Sequence, residues 1–200
     1  DAAMSVLTMR SAGLTGQEFE VTGTVKNTGV NTINSVDITI SDGTDEYTET
    51  VDGLNLASLD EYEFVMNDKY TVLEGTQIVS AVVSNPNGEQ DMNDANDTAN
   101  KPITGYTPAP YRAVLIEEAT GTWCGWCPRG AVFMELMEEY YPDHFVGVAV
   151  HNGDPMAITE YDDGMTSLPG FSGFPSVAVE RNEIINPAII ESYLLPRVTE

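Results

Sequence analysis

At 200 residues and 42% hydrophobic content, the chain is long enough for one large domain or two small ones, each with a real core. Its 32 acidic against 8 basic residues give a formal charge of −24, which argues against nucleic acid or anionic lipid as a partner. No stretch of 18 consecutive apolar residues exists to form a membrane-spanning helix, and two cysteines are too few for a disulfide framework.

The first half reads as short strands of period two. Residues 4–10 form the first. Residues 18–27 alternate well, with Phe19, Val21, Gly23 and Val25 on one face and Glu20, Thr22, Thr24 and Lys26 on the other. Val36, Ile38 and Ile40 give the next apolar face, followed by strands at 47–51, 61–66 and 77–84. Thr28-Gly29, Asp42-Gly43, Asp52-Gly53 and Glu74-Gly75 punctuate the series. Strands at this spacing, uninterrupted by a helix, predict an antiparallel sandwich over residues 1–105.

Residues 86–102 have turn and loop composition. Asp91, Asp94 and Asp97 recur there every three residues. The pattern does not follow an EF-hand, so a solvated loop with Asx turns is expected, with Ca²⁺ binding as the alternative. Ile103 opens a closing strand. The prolines at 108 and 110 mark the boundary to a second domain, residues 106–200.

That second part alternates strand and helix, which predicts an α/β domain. Residues 113–117 read as a strand and 131–140 as a helix with Val132, Leu136 and Tyr140 on its apolar stripe, beside Phe133 and Met137. A nearly all-apolar strand follows at 145–150, then an irregular helix within 156–168, a strand at 176–180 and a short helix at 187–195. The closing edge strand expected of such a domain is missing from this reading, since residues 182–187 look like a turn. The expectation is therefore that the chain is a fragment continuing beyond Glu200.

The only two cysteines, Cys124 and Cys127, lie between the first strand and first helix of this part, in Trp123-Cys124-Gly125-Trp126-Cys127-Pro128. A CxxC pair at a strand–helix junction is a redox signal, because the helix end favours a thiolate and two intervening residues let the sulfurs meet. Zinc would need two more ligands, yet the only histidines are His144 and His151 and there is no second CxxC. No cofactor is called for. Exchange chemistry and a structural disulfide both remain open on spacing alone.

Trp-Cys-Gly-x-Cys after an apolar strand, with Gly173-Phe174-Pro175-Ser176 preceding a later strand, resembles the thioredoxin superfamily over about residues 111–195. The resemblance implies that Cys124 attacks, Cys127 resolves, and Pro175 is cis and packed against the disulfide, with the backbone around Phe174 pairing with substrate. It also implies a buried acid six residues before the first cysteine. Glu118 holds that position with Glu117 beside it, and either could shuttle a proton to Cys127; the alternative is that both are solvated, or that one caps a neighbouring loop. Trp123 and Trp126 read as an apolar lip for a protein substrate, and His151 as a simple polar or packing residue. Thioredoxins carry proline within the dipeptide, whereas this chain has Trp126 there and Pro128 after Cys127, so a potential does not carry over.

With its Val25-Lys26-Asn27-Thr28-Gly29 turn and the later Pro86-Asn87-Gly88 and Asn93-Asp94-Ala95-Asn96 stretch, the first part, residues 1–105, resembles bacterial extracellular Ig-like modules, including the CARDB type. The combination with Thr-Gly-Thr-Trp-Cys-Gly-x-Cys-Pro resembles the Omp28-related outer membrane protein group of Bacteroidetes. That likeness implies an extracytoplasmic location, in the periplasm or on the outer membrane surface, with Asp1 the start of a processed chain and a lipid anchor upstream of it. Two functions compete: a thiol–disulfide oxidoreductase acting on protein cysteines or on a redox partner protein, and a surface binding or adhesion protein that keeps the scaffold without turnover.

Overall fold

A computed structural model describes residues 1–200. The chain divides into two compact units, Asp1–Tyr106 and Thr107–Glu200. The architecture is multidomain, an all-β unit and an α/β unit.

The first unit contains β1 (Ala2–Thr8), β2 (Ala12–Leu14), β3 (Glu18–Phe19), β4 (Thr22–Asn27), β5 (Ile33–Ser41), β6 (Glu46–Leu56), β7 (Glu61–Val65), β8 (Tyr70–Thr71), β9 (Gly75–Ser84) and β10 (Thr98–Tyr106). One sheet has the order β1-β4-β7 and another β2-β10-β9-β5-β6, while β3 and β8 form a separate pair. Both larger sheets supply one core, including Val25 and Phe64 from the first and Ile38, Ile40, Val79 and Ile103 from the second. The period-two pattern therefore translates directly into burial. The expected 18–27 strand is broken at residues 20–21, and its two halves pair with different sheets. β10 begins five residues before Ile103 and runs through Pro102. Proline is tolerated there because β2 pairs with β10 only from Thr104 onward.

The acidic loop is largely exposed, Asp94 included, and carries an Asx turn, but two of its three recurring acids are not solvated. Asp91 and Asp97 are buried. Asp91 accepts the Ala2 N–H at 2.7 Å with one oxygen and the Asn93 N–H at 3.1 Å with the other, fastening the loop to β1. Burial, aided by the charges of Asp91 and Asp94, pushes Asp97 up to about 6.

The second unit contains β11 (Val114–Thr120), α1 (Pro128–Tyr140), β12 (Phe145–His151), α2 (Thr159–Thr166), β13 (Ser176–Val179), β14 (Glu183–Ile185), a 3₁₀ turn (Pro187–Ile189) and α3 (Ile190–Arg197). Its sheet has the order β12-β11-β13-β14, with β11 parallel to β12 and antiparallel to β13. The inner strands β11 and β13 are almost wholly buried. On α1 the buried stripe runs through Gly130 and Met137 to Tyr141, and Val132, expected inside, is exposed.

The closing strand that the sequence seemed to lack is present. β14 pairs antiparallel with β13 through a turn in which Asn182 N–H donates to Val179 carbonyl at 3.0 Å. Its central residues, Glu180 and Arg181, both have positive φ, 49° and 56°. Such a turn ordinarily advertises itself as Asn-Gly or Asp-Gly, so no sequence signal marked it. Side-chain bonding holds the conformation instead. Glu180 pairs with Arg112 at 2.7 Å, Arg181 reaches Glu117 at 2.9 Å, and Arg197 holds Glu183 at 2.9 Å. Three of the four basic residues in this unit thus anchor one hairpin.

Candidate functional site

Cys124 and Cys127 are joined in a disulfide. The segment between β11 and α1 leaves the strand at Gly121, whose carbonyl accepts the Cys124 N–H at 3.0 Å. Cys127 caps α1: its carbonyl accepts the N–H groups of Gly130 at 2.9 Å and Ala131 at 3.2 Å. Pro128 takes the first helical position, where a missing N–H costs no bond. Cys127 is only 4% exposed, whereas Cys124 is partly exposed. Of the two sulfurs, Cys124 is therefore on the more open residue and Cys127 on the covered one.

The two expected acids separate. Successive strand residues point to opposite faces of a sheet, so β11 sends Glu118 toward α1 and Glu117 toward α2. Glu118 shares a cleft of about 300 Å³ with Cys124, Cys127, Thr120, Ala149 and His151. It is 3% exposed, and its Oε1 has no hydrogen-bond partner. Burial pushes its carboxyl up to about 7, against a smaller opposing pull from His151. Gly130 makes this placement possible: a Cβ there would collide with Glu118 Oε1 and lie 3.3 Å from the Pro175 ring.

Glu117 is not brought to the disulfide. It accepts the Tyr161 hydroxyl at 2.6 Å and the Arg181 Nη2 and Nε groups at 2.9 and 3.0 Å. Burial works to raise its pKa, but these bonds prevail and hold the carboxyl below its ordinary range. The Arg181 guanidinium also sits 5.0 Å over the Tyr161 ring. The proton-shuttle role expected of either acid is thus corrected for Glu117, which is an ion-pair partner on the far face.

Pro175 follows a cis peptide bond after Phe174. Trp123 stands edge-on to Phe174 with ring centroids 5.3 Å apart, and Phe171 stands edge-on to Phe174 at 5.2 Å. Trp123 is nevertheless 56% exposed, oriented by its indole N–H donating to the Asn152 carbonyl at 2.7 Å. Trp126 is 77% exposed and outside this aromatic cluster.

One group of the site, Asp154, carries no motif in the sequence. Asp154 accepts the Thr122 N–H at 2.8 Å and the Met156 N–H at 2.8 Å, and its Oδ2 lies 2.7 Å from His151 Nδ1. These bonds, that of His151 foremost, hold the carboxyl well below its usual range. Asp154 thereby ties the segment preceding Cys124 to the turn after β12. The available signal was His151 at the C-terminal end of an apolar strand, the edge strand β12, followed by an Asn-Gly-Asp-Pro turn.

No family model matches the chain, and no curated protein matches it. Among solved structures, the chain has a weak likeness to the CARDB domain of the PF1109 protein from Pyrococcus furiosus, solved in complex with di-metal ions. The identity is 21% over 52% of this chain and 92% of that one, with a TM-score of 0.43. The solution structure of the same domain gives 18% identity over 52% and 94%, also at 0.43. A β-glucosidase from Listeria innocua in complex with glucose matches at 15% identity over 54% of this chain and 16% of that one, with a TM-score of 0.30.

Proposed function

We propose that the second unit is a thioredoxin-like thiol–disulfide exchange domain acting on protein cysteines, carried with an Ig-like module in an extracytoplasmic protein of the Omp28-related kind. The observation that carries this reading is the asymmetric disulfide, with Cys124 partly exposed, Cys127 buried, and a buried carboxyl in the same cleft. In the reaction, a substrate thiolate attacks Cys124 Sγ, the Cys124–Cys127 bond breaks, and its electron pair leaves on Cys127. A second substrate thiolate then displaces Cys124, so a substrate disulfide forms as the protein gains two electrons and two protons. Supplied with reductant, the same steps run backward. Trp123 and Phe174 form the apolar wall along which a substrate chain would lie.

A second reading, binding through this scaffold without turnover, is favoured by the large exposure of Trp126 and Trp123, since partly exposed indoles suit protein interfaces. It is also consistent with a first unit built wholly of strands and short turns.

The deciding experiment measures disulfide transfer to reduced, unfolded ribonuclease and reduction of insulin. Turnover in either assay, abolished by Cys124→Ser, is the expected result. Absence of turnover in both directions would overturn the exchange reading in favour of binding. The potential of the pair assigns direction, an oxidant lying near about −120 mV and a reductant near about −270 mV.

A further inference from the structure

The cleft has an unsolved proton problem. When the disulfide opens, the sulfur of Cys127 must take up a proton, but Cys127 is 4% exposed and Glu118 is 3% exposed. His151 lines the same cleft, and its side chain is 18% exposed. Asp154 fixes it: in the neutral ring, Nδ1–H donates to Asp154 Oδ2 at 2.7 Å and Nε2 is left as the working nitrogen. Asp154 is itself held by two backbone N–H groups, so it is an oriented carboxylate and not a mobile surface charge. The titratable groups around the imidazole are Asp154, Glu118 and the two cysteines.

We infer that His151, oriented by Asp154, is the proton-transfer residue that links the buried Glu118 carboxyl and the departing Cys127 sulfur to solvent. This rests on the exchange reading of the site. As the thiolate of a dithiol bonds to Cys124, Cys127 leaves with the electron pair and takes the Glu118 proton. Glu118 is reprotonated from the His151 imidazolium through water in the shared cleft of about 300 Å³, and the imidazolium is replenished from solvent. The reverse reaction moves the same proton outward. Asp154 acts through the imidazole and is a positioning residue.

The test follows the reaction of the oxidised protein with dithiothreitol by the fluorescence of Trp123 and Trp126, across roughly pH 6 to 9. His151→Gln is expected to slow disulfide opening about tenfold or more near neutrality, as loss of a general acid does. It should also flatten the pH profile, with free imidazole in the buffer restoring part of the rate. Asp154→Asn, which keeps the imidazole, should shift the profile with a smaller loss of rate. Wild-type rates and profiles in both variants, or a slowed His151→Gln that imidazole does not rescue, would overturn the inference. Dithiothreitol opening that depends on His151 without transfer to ribonuclease or from insulin would remove only the protein-exchange reading. Transfer with a His151-independent profile would remove only the proton-transfer inference.

Discussion

Glu117 and Glu118 are chemically the same group one residue apart on one strand, yet the two faces of the sheet treat them oppositely. On the α2 face, Arg181 and Tyr161 answer the charge of Glu117 with good hydrogen bonds, and its carboxyl is held ionised. On the α1 face, Glu118 meets Gly130 and shares its cleft with the disulfide, and the pull of His151 on its charge is too small to offset burial. Burial alone does not make an acid reactive. Burial without a partner holds its proton near neutral pH, which suits the exchange proposed for this cleft.

Four substitutions test that contrast, and the largest effect belongs to the unanswered acid. In the unfolded chain Glu118 titrates near its ordinary 4.5, and in the folded protein at about 7. The native state therefore holds the extra proton between these values, and stability falls as pH rises from about 4.5 to about 7. Glu118→Gln removes that loss. It should stabilise the protein by about 3 kcal/mol above neutrality, an order-of-magnitude figure from the shift, and change little near pH 4. Urea unfolding at the two pH values measures it, and an equal effect at both would break the comparison.

The opposite sign is expected across the sheet. Arg181→Met leaves the Glu117 charge buried with Tyr161 alone. It should cost about 2 kcal/mol at neutral pH, less than a fully buried pair because Arg181 is half-exposed. The depressed pKa of Glu117 gives stability that is present above its ordinary 4.5 and lost as pH falls through the lower folded value. Wild-type and variant curves should therefore converge in acid. Divergence in acid would show that the pair is not what Arg181 contributes.

Gly130→Ala sharpens the account of how the Glu118 face is built. The new methyl collides with the Glu118 carboxyl, a cost of about 1–2 kcal/mol that exceeds the helix-propensity gain of alanine. In a Glu118→Ala background the cost should shrink or reverse, and a double-mutant cycle reads the coupling. The smallest effect on stability is expected at Trp126. Its replacement by alanine should change unfolding by less than about 0.5 kcal/mol, as at an exposed site, while weakening capture of a peptide mixed disulfide at Cys124. A large loss of stability there would mean that Trp126 belongs to the core and not to a contact surface.

Much of this was readable from residue order. The alternation from Phe19 to Val25 put its apolar face inside because β structure has a period of two. The apolar strand, CxxC and following helix were readable because each signal is local. So was the pairing of the cysteines as neighbours, since two intervening residues bring them together whatever else the chain does. The order also required Glu117 and Glu118 to face opposite ways. It did not say which one would meet the disulfide, because that depends on which face of the sheet α1 covers. Nor did it show the Glu180-Arg181 turn, whose left-handed residues lack the usual glycine and are held by Arg112 and Glu117, more than 60 residues earlier in the chain. The His151–Asp154 contact was equally hidden, since three residues of separation become a 2.7 Å bond only where the chain turns after β12. Period and spacing are properties of a short stretch of chain and survive in the sequence alone. Partner choice and burial depend on what other segments bring to the same place, and only the tertiary structure decided them.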